Sequence, residues 1–131
     1  MKKVIDPLRH TEVPLTPEEA VRQWFITVLR DDCKVPVSLM NSEVSFSLGE
    51  KQYRADILIW NRNAEYLAVV ECKRPQVPLS REVLDQAIRY NMALKIEWIF
   101  LTNGKDTVVL HRENDIFVPV NELPDYEKML G

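Results

Sequence analysis

The sequence predicts an α/β fold, a mixed central β-sheet flanked by helices, in the order helix, three-strand meander, helix, strands. Three observations carry it. A helix start at Thr16 precedes the main strand signals. Three strand-like stretches, 43–48, 52–60 and 65–73, follow with short turns between them. A helix after residue 80 then leads into the apolar run Ile96-Glu97-Trp98-Ile99-Phe100-Leu101-Thr102. A strand that reaches another through a helix makes a crossover, which should be right-handed and leave those two strands parallel.

Residues 1–15 hold Pro7 and Pro14 and little periodicity, and are expected to be an N-terminal arm with at most a short strand. Residues 16–131 are expected to form a single domain. In Thr16-Pro17-Glu18-Glu19, Thr16 is the N-cap, Pro17 the first helical residue and Glu19 the third position of a capping box. Val21, Trp24, Phe25, Val28 and Leu29 make the apolar stripe of a helix ending near Arg30 or Asp31. At about 100° per residue, Glu18 falls near the Val21 and Phe25 side, and Glu19 on the opposite, solvated side. Pro36 makes residues 35–39 extended. Alternation marks 43–48 as a strand with one wet face, Gly49-Glu50-Lys51 turns the chain, and Asn61-Arg62-Asn63-Ala64 turns it again. Ser80 caps the second helix, which runs to about Leu94. Asn103-Gly104 is a hairpin signal returning the chain through 107–111. Residues 116–120 contain Pro119 and therefore belong at a sheet edge. A short helix after Pro124 ends the chain.

The length of 131 residues fits one domain with a real core. No apolar run approaches the roughly 18 residues that span a membrane, and no apolar segment follows the N-terminal lysines as a secretion signal would require. The expected location is cytoplasmic, with Cys33 and Cys72 as reduced thiols. The net charge of −3 counts against strong free-standing nucleic-acid binding. It points instead to affinity supplied by a partner chain or by homo-oligomerisation.

The chemistry concentrates in Leu67-Ala68-Val69-Val70-Glu71-Cys72-Lys73-Arg74-Pro75. Strand alternation puts Glu71 and Lys73 on one face and Cys72 on the other. Asp56 lies inside an apolar strand, where a lone carboxylate is costly unless paired, hydrogen-bonded or on a metal. Counting back from the turn at 61–64 puts Asp56 opposite a residue within about two positions of Glu71. Two such carboxylates suit Mg²⁺ or Mn²⁺ with retained waters, and the Cys72 carbonyl could add an oxygen ligand. Lys73 could orient an attacking water or offset transition-state charge. Gln86 and Tyr90, four residues apart, form one ridge at the border of the second helix's apolar stripe. Lys73, Arg74, Arg81 and Arg89 could line a DNA path, and a solvated helix face explains the last two almost as well.

Asp56 followed by Glu71-Cys72-Lys73, in helix–strand–strand–strand–helix–strand order, resembles the PD-(D/E)xK nuclease superfamily, with Ala55 standing where the motif's name has proline. A closer resemblance is to the N-terminal nuclease domain of type I restriction enzyme R (HsdR) subunits. It rests on Thr16-Pro17-Glu18-Glu19-x-Val21-Arg22-Gln23, Arg54-Ala55-Asp56-Ile57-Leu58, Val70-Glu71-Cys72-Lys73-Arg74-Pro75, Gln86-x-x-x-Tyr90-Asn91 and Leu101-Thr102-Asn103-Gly104. The resemblance implies a restriction-endonuclease-like core and a Mg²⁺-dependent endonuclease acting on DNA. Asp56 and Glu71 would be metal ligands and Lys73 the catalytic lysine. Glu18 matches the acidic residue of the first core helix, although the choice between Glu18 and Glu19 stays open. Gln86 and Tyr90 match a Gln-x-x-x-Tyr motif that lies beside the active site in related nucleases. A motor or specificity subunit would be the partner, because R subunits carry this domain ahead of helicase-like motor domains. This chain has no P-loop, and Met1 and its natural-looking tail favour a stand-alone protein.

Two other readings stand beside the enzyme. One is a nuclease-fold module that docks to DNA or to a restriction, repair or defence complex without cutting. The other is a structural or regulatory homo-oligomer, with Glu71 and Lys73 as a plain ion pair.

Overall fold

The structure is a computed structural model describing residues 2–131. Strands β1 (Lys3–Ile5) and β2 (Glu12–Pro14) pair as a small antiparallel hairpin. Helix α1 (Pro17–Asp31) follows, then β3 (Met40–Leu48), β4 (Lys51–Trp60) and β5 (Tyr66–Cys72). Helix α2 (Arg81–Asn91) crosses to β6 (Trp98–Thr102), and β7 (Thr107–Glu113), β8 (Ile116–Val120) and α3 (Tyr126–Leu130) complete the chain. Strands β3 to β8 form one six-stranded sheet in chain order. The sheet is mixed, as expected: β5 and β6, joined through α2, pair in parallel, and every other neighbouring pair is antiparallel.

Local chemistry explains the boundaries. Thr16 Oγ1 accepts the Glu19 N–H at 3.1 Å, Ser80 Oγ accepts the Val83 N–H at 3.3 Å, and Asp125 Oδ1 accepts the Lys128 N–H at 2.8 Å. Val37–Leu39 form a single 3-10 turn where extended chain was expected, which lets β3 begin earlier, at Met40. Met40 is buried and pairs with Ile59. Gly104 in the β6–β7 hairpin has φ +88°, and a Cβ there would meet Val21 Cγ2 at 3.3 Å, so the turn is glycine for both backbone and packing.

Two cores lie on the two sides of the sheet. Val21, Phe25, Ile26 and Leu29 of α1 pack with Ile57, Ile59, Val70 and Phe100. Ala87 of α2 packs with Leu58, Val69, Ile99 and Leu101. The inward face of α1 is rotated from the expected stripe. Trp24 is 44% exposed, while Ile26 is 1% exposed. The rotation carries Glu19 inward as well. It is 5% exposed, not solvated, and is held by Arg22 and by Gln23 Nε2 at 2.8 Å.

The N-terminal hairpin is fastened to β3 by Asp6, which is fully buried. Its carboxylate accepts from Leu8 N at 2.8 Å, Arg9 N at 3.0 Å, Arg9 Nε at 2.9 Å and Ser42 Oγ at 2.8 Å. Burial opposes ionisation, but these donors outweigh it and hold the carboxyl down at about 2, below its ordinary 3.8. A lowered value stabilises the fold above pH 3.8, and that contribution fades as pH falls toward 2. Asp6→Asn should therefore lower urea-unfolding stability by about 2 kcal/mol at neutral pH. The gap between variant and parent should close below pH 3.8 in the same measurement.

Candidate active site

Strands β4 and β5 pair through Ile57↔Val70, Leu58↔Val69 and Ile59↔Ala68. One step further would set Asp56 opposite Glu71, and the ladder ends there. Asp56 Oδ2 instead accepts the Cys72 N–H at 2.7 Å, so a side chain takes up a donor on the departing strand. On the other edge of β4, Ser42↔Ile57 and Val44↔Ala55 pair, while Glu43 and Asp56 between them do not, and Glu43 sits at φ +48°. The alternation of β4 slips by one at this point. Ile57 and Ile59 join the α1 core, whereas Tyr53, Ala55 and Leu58 join the α2 core. Such irregularities re-aim a side chain, and here the residue at the slip is Asp56.

Asp56 and Glu71 open into a cleft of about 470 Å³ between the start of α1, the β4–β5 fork and the flank of α2. Lys73 Nζ lies 3.8 Å from Glu71 Oε1, and the Lys73 N–H donates to Thr102 O at 2.8 Å, which fixes residue 73 against β6. The Tyr90 hydroxyl accepts the Arg54 N–H at 2.9 Å, tying α2 to β4 beside the cleft. Burial raises the Asp56 carboxyl above its ordinary value; the Cys72 N–H, Arg22 and Arg54 oppose this and Glu18 adds to it. Burial likewise raises Glu71, opposed by Lys73 and reinforced by Asp56.

Six residues singled out in the sequence line this one cleft: Glu18, Asp56, Glu71, Lys73, Gln86 and Tyr90. Glu18 and Glu19 both reach it, but Glu19 is already neutralised by Arg22. The Cys72 side chain is in the α1 core, and burial pushes its thiol well above its ordinary value, so it is inert. Arg74, Arg81 and Arg89 are exposed outside the cleft, with Arg81 Nε 3.6 Å from Asp85 on its own helix. Three charged lining residues were not singled out for the site: Arg22, Glu43 and Arg54. Arg22 had a readable signal, since it is a cation on the inward arc with Ile26; Glu43 had none, because its role comes from a backbone irregularity.

Asp56 and Glu71 offer the cleft carboxylate oxygens, the donor type that hard cations take. Among the described residues the Cys72 N–H is the one hydrogen-bond donor to Asp56, and Asp56 disfavours the charge of Glu71. Among the described residues no three His, Cys, Asp or Glu side chains converge as a closed ligand group. The described residues therefore form no closed Zn²⁺ cage.

Comparison with known proteins gives the chain relatives of the same fold. The family described as type I restriction enzyme R protein N terminus matches residues 17–124. A solved fragment assigned to an HsdR subunit of a type I restriction enzyme from Vibrio vulnificus YJ016 superposes with a TM-score of 0.67 at 19% identity. That match covers 88% of this chain and 25% of the Vibrio chain, so the present chain spans a quarter of that relative's length. A protein from Anabaena variabilis assigned as a nuclease matches at 15% identity and TM-score 0.45, covering 86% of this chain and 78% of the other. No curated protein matches the chain.

A raised carboxyl stabilises the fold below its ordinary value, 4.5 for Glu71, and that advantage is lost as pH rises through the folded value. Ionised Glu71 is therefore a cost at neutral pH. In metal-free buffer, Glu71→Gln should unfold at a higher temperature than the parent at pH 7 and show no such advantage near pH 4. Thermal melts across that range test it; a lower midpoint at pH 7 would show that the Lys73 ion pair outweighs burial.

Proposed function

The chain belongs to the family of type I restriction enzyme R protein N termini, and from that premise we propose that it is a Mg²⁺- or Mn²⁺-dependent endonuclease domain hydrolysing DNA phosphodiester bonds. Its restriction-endonuclease-like α/β fold is the frame of this reading. The observation that carries it is the end of the β4–β5 ladder at Ile57↔Val70, beyond which Asp56 and Glu71 both line the cleft, with Lys73 3.8 Å from Glu71.

Asp56 and Glu71 would hold the cation, with the Cys72 carbonyl as a further oxygen. Bound there, it would supply Lewis acidity to the phosphate and lower the pKa of a coordinated water. The chain's own groups do the rest. Lys73 presents its ammonium beside Glu71, where it orients the attacking water and offsets charge gathering on the phosphoryl oxygens. Glu71, the carboxylate beside Lys73, would accept the water's proton. Gln86 and Tyr90 wall the α2 side, and Tyr90 braces β4 through Arg54 N. Arg74, Arg81 and Arg89, exposed beyond the cleft, would meet the DNA backbone as it leaves the site. A motor or specificity subunit would deliver the DNA, in keeping with the HsdR assignment of the Vibrio relative.

A second reading is a nuclease-fold module that docks without cutting, favoured by the absence of a closed three-ligand group among the described residues. The two part in one assay. Nicking of supercoiled plasmid should require Mg²⁺ or Mn²⁺, and Asp56→Ala and Lys73→Ala should each reduce its rate by about 10²-fold or more. Mg²⁺ should also raise the melting temperature of the parent but not of Asp56→Ala. No nicking by the parent together with no thermal shift would favour the docking module, and nicking shared by both variants would mark a contaminant.

A further inference from the structure

Beside the cleft, Glu43 receives three guanidinium groups. Arg22 Nη1 lies 2.7 Å from Glu43 Oε1, Arg54 Nη2 lies 3.4 Å from the same oxygen, and Arg9 Nη1 lies 3.2 Å from Oε2. The three arginines differ in what they would do without it. Arg9 keeps Asp6 at 2.9 Å, and Arg54 is 65% exposed and would return to water. Arg22 is 3% exposed, its other partner is Glu19, and its Nε and Nη1 lack an aligned hydrogen-bond acceptor. A buried guanidinium cannot fall back on solvent, so losing one carboxylate drives it toward the next.

The next carboxylate is Asp56. Arg22 lines the same cleft and is close enough to favour ionisation of Asp56, yet among the described residues Asp56 makes no ion pair. Glu43 is also the residue facing Asp56 across the gap in the β3–β4 ladder, in a left-handed backbone conformation that is strained for a non-glycine residue. Arg22 itself is too buried to touch a substrate, so it acts through what it leaves free.

We propose that Glu43 is a positioning residue: it retains Arg22 against Glu19 and away from Asp56, leaving the Asp56 carboxylate open to a divalent cation. The cation part rests on the metal-dependent reading above; the retention of Arg22 does not. Glu43→Gln keeps the size and backbone demands of the side chain and removes its charge, so the two roles of Glu43 separate.

The test has two arms. The first is a crystal structure of Glu43→Gln grown without divalent cations, in which the Arg22 guanidinium should lie within hydrogen-bond distance of Asp56. The second is calorimetric Mn²⁺ affinity of Glu43→Gln, which should fall about tenfold, and of the double variant Arg22→Met/Glu43→Gln, which should recover to within about threefold of the parent. A merely structural role would make the double variant worse than the single one, because Glu19 would then keep only Gln23 as a donor. Arg22 remaining clear of Asp56 in Glu43→Gln overturns the proposal, as does a double variant no better than the single. A parent that binds no Mn²⁺ would overturn the metal reading instead, and the crystal structure alone would then decide the role of Glu43. Should Glu43→Gln not fold, Glu43→Asn, which tolerates the left-handed backbone, takes its place.

Discussion

The structure around the cleft depends on one hydrogen bond, from the Cys72 N–H to Asp56 Oδ2 at 2.7 Å. Below it, β4 and β5 are an ordinary antiparallel pair, buried on both faces. Above it the two strands part, β4 staying with β3 and β5 with β6. A fork in a sheet leaves backbone donors without a partner, and a buried unpaired donor is expensive. Asp56 answers that need and in doing so is fixed within the cleft. The carboxylate is thus structural and available at once: one oxygen closes the fork, and the residue still lines the cleft with Glu71. The cost is visible in both carboxyls, each pushed by burial toward its neutral form.

Much of this was legible before any coordinates. The helix starts at Thr16 and Ser80, the meander and the parallel crossover follow from side-chain capping chemistry, alternation and connection rules. Counting back from the turn at 61–64 places Asp56 opposite a residue within about two positions of Glu71, and the paired register stops at Ile57↔Val70, one step short of both. The failures share a cause. A stripe of α1 that runs through Trp24 and not Ile26 sends Glu19 to solvent. One aromatic residue shifted the inferred face by enough to expel Glu19 and to overlook Arg22. Tertiary packing chose the smaller side chain: Ile26 is buried in the α1 core, and Trp24 lies half over its edge.

Glu43 was illegible for a different reason. Its polar side chain on an alternating strand reads as the wet face, and its neighbours Ser45 and Ser47 are indeed exposed. Its left-handed backbone and its place opposite Asp56 arise only when β3 meets a β4 that must turn a carboxylate into the cleft. Sequence periodicity describes a regular strand, and the residue that breaks regularity is the one it cannot find. The N-terminal hairpin belongs to the same network, since Arg9 bridges Asp6 and Glu43 and Asp6 takes the hydroxyl of Ser42.

Charge accounting ties the site to the acidic character of the chain. Five carboxylates and three cationic side chains line the cleft, an excess of two negative charges. A phosphodiester approaching that surface alone meets net repulsion in a partly desolvated setting, where charges interact more strongly than in water. On the proposed reading, a single divalent cation would cancel the excess, with Asp56 and Glu71 as its ligands. Glu19 and Glu43 are already matched to Arg22, Arg9 and Arg54, so the uncompensated charge is localised at Glu18, Asp56 and Glu71 and only partly offset by Lys73. The arginine network therefore does more than stabilise a fold: by neutralising Glu19 and Glu43, it leaves the unmatched negative charge of the cleft at the strand fork.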